Sequence, residues 1–495
     1  MNQQQRLKVL YVSSEVSPFA KTGGLADVAG SLPQALASLG HDVRIVMPKY
    51  KLIESPMETR FDFPITVRGR KETAIIREYY LEEKENDVLN VVPVYFIDNY
   101  HYFDRENVYC YFDEAERFAF FCRAVLEMLP GLDFKPDVIH CNDWQSGPIS
   151  VLLKEQYHIS PFYRDIATII TIHNLHYQGN YPRECLKLLG LPDDYFHPDK
   201  LEFYGDVSFL KAGIVYADLI NTVSKTYARE IQAPEFGERM EGLMQSRSND
   251  LYGIVNGINT YEFDPANDPH IAVKYDSGSL DKKVENKYAL QRSLKLPVSD
   301  SPMVGLVSRL VDQKGLDLVE QIFADFINED VQFVVLGHGD ERYEEFFKEM
   351  SLKYPEKMAA HIGFKAPLAQ QIYAASDIFL MPSKFEPCGL GQLIGLRYGT
   401  LPIVRATGGL ADTVVDVNPV SGTGNGFVFK NYSAQDLLDA IKRALCLYRN
   451  KDGVWRKLIK TAMESDFSWK APAEEYVRLY NRALDKNCGK NGAEQ

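Results

Sequence analysis

The chain has 495 residues, 45% of them hydrophobic, enough to bury the cores of two or more domains. A formal net charge of −13 excludes non-specific nucleic-acid binding, which needs a basic surface. Seven dispersed cysteines without a C-x-x-C pair exclude a disulfide framework and fit a reducing compartment.

The opening segment, residues 1–8, is polar and runs straight into an extended stretch. No apolar run is long enough to span a bilayer, so the expectation is a cytoplasmic protein with no membrane partner. Short apolar runs bounded by turn residues then follow at 9–12, 43–47, 91–97, 138–141, 168–172, 219–223 and 252–255, and read as buried parallel strands. A second set stands at 303–307, 331–336, 361–363, 378–381, 403–404 and 427–429. Helical patterns lie between many of them, at 25–39, 114–129, 316–327, 341–352, 368–375 and 434–448, with a short one beginning near Asp412. The alternation predicts an α/β protein built on doubly wound parallel sheets with right-handed crossovers. The break between domains is expected near 256–268, where a polar stretch with Pro265 and Pro269 follows the last strand of the first set. This sets the domains at 1–258, joined by a C-terminal helix at 471–488, and at 259–470. Residues 51–90 and 232–250 read as irregular charged insertions, the second a mobile loop, and the tail from Asp485 as frayed.

One hexapeptide occurs twice, as Thr22-Gly23-Gly24-Leu25-Ala26-Asp27 and as Thr407-Gly408-Gly409-Leu410-Ala411-Asp412. A strand, a glycine turn and a helix start place backbone N–H groups beside a positive helix end, an arrangement that binds phosphate. The same pattern also serves close packing of a helix start against a strand. Lys21 beside the first copy favours the anion reading.

Four strand ends carry polar chemistry. Residues 382–391 (Pro-Ser-Lys-Phe-Glu-Pro-Cys-Gly-Leu-Gly) lead into a helix, with Glu386 either accepting from sugar hydroxyls or complementing the helix dipole. Residues 308–315 bring Arg309 and Lys314, which could cradle a diphosphate or form a solvated loop. Asn142-Asp143-Trp144 and His173-Asn174 end two more, and a single histidine such as His173 is more often a satisfied structural residue than a catalyst. No H-E-x-x-H, cysteine zinc spacing or Asp-x-Asp is present, so no metal is expected. Neither G-x-S-x-G nor the P-loop pattern occurs. Twenty-nine tyrosines against three tryptophans lean toward sugars, since a phenol packs on a pyranose face.

Together these motifs resemble the bacterial glycogen synthase and plant starch synthase family, retaining glucosyltransferases of the GT-B fold. The resemblance spans residues 9–480 and also takes in Asn256-Gly257-Ile258. It implies two Rossmann-like domains facing across a deep cleft, an acceptor-side domain first and a nucleotide-sugar domain second, closing on substrate. The implied donor is ADP-glucose and the acceptor the non-reducing end of an α-1,4-glucan, with no further cofactor. Lys21 and the Gly23-Gly24 turn, with Asp27, Thr407 and Gly408, would meet the donor. Arg309 and Lys314 would hold its diphosphate. Glu386, with the backbone of Cys388, Gly389 and Leu390, would grip the glucose hydroxyls. His173, Asn256 and Asp143 would line the sugar site, Asp143 nearest the acceptor, and Phe364 would stack on the nucleobase. The family's chemistry implies same-face displacement without a protein nucleophile. A UDP-glucose enzyme of the same fold and an inactive sugar-binding protein stay open as alternatives; oligomeric state is open too.

The chain departs from the family pattern at four places. Gly391 replaces a hydroxyl residue, Gln145 replaces histidine, and Arg239-Met240-Glu241 replaces Gly-Leu-Asp. Ile394 stands where the broader pattern has a second acid, which argues against a two-carboxylate mechanism.

Overall fold

The computed structural model describes residues 6–85, 88–450 and 452–493. The chain separates into two units, Met1–Val223 with Ala228–Ile254 and Trp469–Gln495, and Ser224–Tyr227 with Val255–Ser468.

The first unit is built on a nine-stranded sheet of β1 (Lys8–Val12), β2 (Asp42–Pro48), β3 (Glu58–Val67), β4 (Arg70–Glu85), β5 (Val88–Asp98), β6 (Val138–Asn142), β7 (Ala167–Ile172), β8 (Leu219–Thr222) and β9 (Leu251–Gly253). Their spatial order is β9-β8-β7-β6-β1-β2-β5-β4-β3. The seven from β9 to β5 pair in parallel, and every residue of β6, β7 and β8 is buried, which is why they read as plain apolar runs. From β1 the chain winds outward through β2, then returns to lay β6, β7, β8 and β9 on the other side, so the sheet reverses between β1 and β6.

Two expectations are corrected here. Residues 51–90 are not an irregular insertion: β3 and β4 extend the sheet as antiparallel strands. One face of this hairpin is wet, so Phe61, Phe63, Ile65 and Val67 alternate with Asp62, Pro64 and Thr66, and the charges mask the pattern. Residues 232–250 are held rather than loose. Met240 and Met244 are buried, and the Arg247 guanidinium donates to the carbonyls of Ile214, Val215 and Ala217.

The C-terminal helix, Lys470–Ala493, returns to this unit and runs through the segment expected to fray. The Tyr480 hydroxyl lies 2.9 Å from His140 Nδ1, and Tyr476 accepts from Asn221 Nδ2 at 2.9 Å. Lys486 pairs with Asp250.

The second unit carries six parallel strands, β10 (Met303–Leu310), β11 (Gln332–Gly339), β12 (Met358–Ile362), β13 (Ile378–Met381), β14 (Leu401–Arg405) and β15 (Phe427–Phe429), ordered β12-β11-β10-β13-β14-β15. Its reversal falls between β10 and β13. Val304, Phe333, Ile378 and Ile403 form the buried centre with Leu316, Phe323 and Ile441 from flanking helices. Ile258 joins this core and donates its N–H to the Phe467 carbonyl at 2.9 Å, which draws Val255–Ile258 into the second unit. The helix expected from Asp412 starts earlier, at Gly408, and ends at Thr413, where Val414 turns extended.

Candidate active site

In open α/β sheets ligands bind beyond the carboxyl ends of the strands, at the point where the winding reverses. The loops after β1 and β6 in the first unit, and after β10 and β13 in the second, hold those positions. They carry most of the residues singled out above.

The loop after β1 leads into α1 (Gly24–Ser38). Buried Glu15 fills the glycine turn. Its carboxylate accepts from the Thr22 N–H, from Thr22 Oγ1 at 2.8 Å, from the Gly23 N–H at 3.3 Å and from the Tyr109 hydroxyl at 2.8 Å. The turn thus binds an anion, as such turns do, but the anion is the chain's own carboxylate. Nor does Asp27 stand open to a ligand. It lies 2.6 Å from the Lys21 ammonium, and burial raises its carboxyl pKa while that cation lowers it.

Asp143 follows β6 with a left-handed backbone, φ 54°, a conformation that Asp tolerates better than most residues. Its Oδ1 accepts from the His173 N–H at 2.7 Å. Desolvation pushes its carboxyl up to about 7, opposed by the backbone N–H groups of His173 and Asn174 and reinforced by the charge of Glu15. The His173 ring stands with Nε2 2.8 Å from Asn142 Oδ1, and burial pushes its pKa down to about 3, so the imidazole is neutral at pH 7. Gln145, in the place of the family's histidine, is buried and accepts a thiol contact from Cys122 at its carbonyl.

In the second unit the loops after β10 and β13 are tied together. Lys384 N–H donates to the Gln313 carbonyl at 2.9 Å, and Gln313 Nε2 to the Phe385 carbonyl at 3.3 Å. This brings Lys314 Nζ to 2.6 Å from Glu386 Oε2, which also accepts from Ser383 Oγ at 3.1 Å. Arg405, at the end of β14, donates to the carbonyls of Ser383 and Lys384 and fixes the loop from below.

The second glycine pair does a different job from the first. The Gly409 N–H donates to the carbonyls of Glu386 and Pro387, at 3.1 and 3.0 Å. A Cβ on Gly408 would stand 1.9 Å from the Glu386 oxygen, and one on Gly409 2.2 Å from that of Cys388. Close packing is the reason for these glycines, not an anion at the Gly409 amide. Asp412 accepts from Ser224 Oγ and from the N–H and hydroxyl of Thr226.

Gly389 precedes α2 (Gly391–Arg397) with φ 75°, and Leu390 is that helix's N-cap. Asn256 is buried beside the Cys388 thiol, which burial raises to about 12, and its Oδ1 has no protein partner. Arg309 is exposed near the end of β10, in register with His338, and exposed Phe364 follows β12, two strands away. Sequence reasoning missed Glu15 and Arg405, and quoted Asn142 and Ser383 within their motifs without giving either a role. A carboxylate three residues past β1 was the available signal for the first.

Among the described residues no group of three or more His, Cys, Asp or Glu is disposed to hold a metal ion, and no helix is long and apolar enough to cross a membrane.

Residues 8–246 match the starch synthase catalytic domain family, and residues 291–457 match glycosyl transferases group 1. A glycogen synthase of Desulforudis audaxviator is 57% identical over 492 residues, covering 98% of both chains. One from Moorella thermoacetica is 56% identical over 480 residues, covering 97% of each. The chain belongs to the glycogen and starch synthase family. It is a glycosyltransferase, and its two Rossmann-like units are those of a GT-B fold. The catalytic domain of starch synthase IV from Arabidopsis thaliana, solved bound to ADP and acarbose, matches at TM-score 0.88 and 33% identity over 97% of this chain and all of that one. Sucrose-phosphate synthase from Thermosynechococcus elongatus, TM-score 0.60 at 18% identity over 97% of this chain and all of that one, shares the fold.

Proposed function

We propose that the protein transfers glucose from ADP-glucose to the non-reducing end of an α-1,4-glucan, in the cytoplasm, with retention of configuration. The observation that carries this reading is the Lys314–Glu386 pair, a cation and a carboxylate 2.6 Å apart at the reversal of a parallel sheet, in a glycogen and starch synthase family member. ADP in the starch synthase IV structure supports the choice of donor.

Lys314 and Arg309 take the donor diphosphate. Glu386, released from Lys314, accepts from the glucose hydroxyls, with the backbone from Cys388 to Leu390. The unpartnered Asn256 Oδ1 and neutral His173 add acceptors for sugar hydroxyls, and Asp143 faces the glucan. Lys21 and the second glycine of its turn meet the donor, Thr407 and Gly408 shape the Glu386 loop, and Phe364 stacks on adenine. As the bond from the anomeric carbon to phosphate breaks, the acceptor oxygen bonds to the same face and its proton passes to the departing phosphate. Cationic side chains aimed at the charge developing on that phosphate supply the acceleration.

The test is transfer of labelled glucose to glycogen by the purified protein. Incorporation from ADP-glucose, well above that from UDP-glucose and released by an α-1,4-specific amylase, is expected. Incorporation from neither donor would sink the reading.

A further inference from the structure

We infer that Asn142 is a positioning residue that holds the His173 imidazole in a single tautomer, with the proton on Nε2 and a bare lone pair on Nδ1. The inference rests on the proposed place of His173 in the sugar site. Asn142 is the last residue of β6 and is fully buried. Its amide has one tenable orientation. Nδ2 donates to the Val12 carbonyl at 2.9 Å, whereas Oδ1 accepts the Tyr11 hydroxyl at 3.0 Å and faces His173 Nε2 at 2.8 Å. Turning the amide over would set Oδ1 against the Val12 carbonyl, two acceptors in contact inside the core. A carbonyl oxygen offers only lone pairs, so the ring nitrogen facing it carries the hydrogen. The neutral ring then presents Nδ1 as an acceptor and can receive a sugar hydroxyl but cannot donate to one.

The ring's surroundings do not compete for that nitrogen. Asp143 bonds the His173 backbone N–H, not the ring, and Glu15 takes Thr22, Gly23 and Tyr109. His140, on β6, is occupied by Thr171 and by Tyr480 of the C-terminal helix, and Tyr476 by Asn221. Tyr11, on β1, spends its hydroxyl on Asn142 itself.

Nitrogen-15 NMR of the ring in the full chain reads the tautomer directly, with His173→Gln to assign the signals. A protonated Nε2 and a bare Nδ1 are expected between about pH 6 and 8. Asn142→Asp keeps the oxygen that faces Nε2, sets a second oxygen in place of Nδ2 against the Val12 carbonyl at a cost that does not vary with pH, and adds a negative charge, which draws a second proton onto the ring and converts Nδ1 into a donor. At neutral pH its kcat/KM should fall by about 10–100-fold, the scale seen when a partner that orients a functional histidine is altered. Activity should recover as rising pH strips that proton. Tyr11→Phe leaves the Asn142–His173 bond in place and should change neither tautomer nor activity.

A native ring protonated on Nδ1 overturns the inference, whether or not the variants fold. A wholly pH-independent loss in Asn142→Asp overturns the positioning role, because a merely loosened core would act at every pH. An Nε2–H ring combined with undiminished turnover in His173→Gln supports the tautomer and overturns the place of His173 in the sugar site instead.

Discussion

The Lys314 ammonium lies 2.6 Å from a Glu386 carboxylate oxygen, although 72 residues separate them in the chain. The two loops leave neighbouring parallel strands and are stitched together by Gln313 and Lys384. In the free protein each charge is the other's partner. On the proposed reading, a diphosphate that takes Lys314 would free a Glu386 oxygen for hydroxyl donors, so that the two halves of a nucleotide sugar would bind together.

Lys314→Ala should lower kcat by about 10²–10³, the usual cost of removing one donor aimed at developing negative charge. It also strands Glu386, whose side chain is only 8% exposed, and should cost ~3 kcal/mol of unfolding free energy. Adding Glu386→Gln should restore stability without restoring turnover. Steady-state kinetics and urea titrations separate the two effects. Near-normal turnover in the single variant would remove Lys314 from the diphosphate clamp.

Glu15→Gln should lower the pKa of Asp143. Burial is the main reason that carboxyl stands near 7, and the negative charge of Glu15 adds to it. Carbon-13 titration of the Asp143 carboxyl measures the change, and an unmoved or higher pKa would contradict it.

Asp143→Asn should stabilise the fold most at alkaline pH. From about pH 4 to 7 the folded protein keeps a proton on Asp143 that the unfolded chain has released, so this group's contribution declines as pH rises through that window. His140 and His173 act in the opposite sense. Burial pushes both down to about 3 from 6.5, so their contribution is whole above 6.5 and is lost as pH falls toward 3. The asparagine keeps an oxygen for the His173 N–H, and its urea midpoint should gain on that of the parent protein between pH 5 and 8. A gap independent of pH would show that Asp143 ionises normally.

Gly391→Ser, which restores the family's hydroxyl, should destabilise by ~1–3 kcal/mol, as overpacking does. A Cβ there would lie 2.8 Å from Cε1 of fully buried Phe379 and 3.3 Å from the Tyr373 hydroxyl. Phe379→Leu in the same protein should recover part of the loss. Thermal unfolding of the parent and the two variants checks it, and an unaffected single variant would mean the ring yields freely.

Much of this was legible in residue order. Strands buried on both faces, such as β7, announce themselves as unbroken apolar runs, and strand-end polar groups such as Glu386 and Lys314 follow directly. The β3–β4 hairpin was hidden because its wet face dilutes the apolar one. The twin hexapeptide misled in a more instructive way. Six identical residues do not set one turn, since Gly23 is extended at φ −154° where its equivalent Gly408 is left-handed at φ 45°, and what faces each turn comes from elsewhere: Glu15 for the Gly23 amide, the Glu386 and Pro387 carbonyls for that of Gly409. Asp27 and Asp412 diverge for the same reason, one serving Lys21 and the other Ser224 and Thr226. Backbone shape and partners alike are set here by what the topology places against the turn.

The return of the C-terminal helix to the first unit has a bearing on biosynthesis. Tyr476 and Tyr480 supply the partners of Asn221 and His140, polar groups sealed beneath the sheet. Until those tyrosines leave the ribosome, the earliest-made half of the polypeptide holds an open seam with unpaid hydrogen-bonding debts. The later-made half, nearly contiguous from Val255 to Ser468, has every segment it needs sooner and is expected to be complete first.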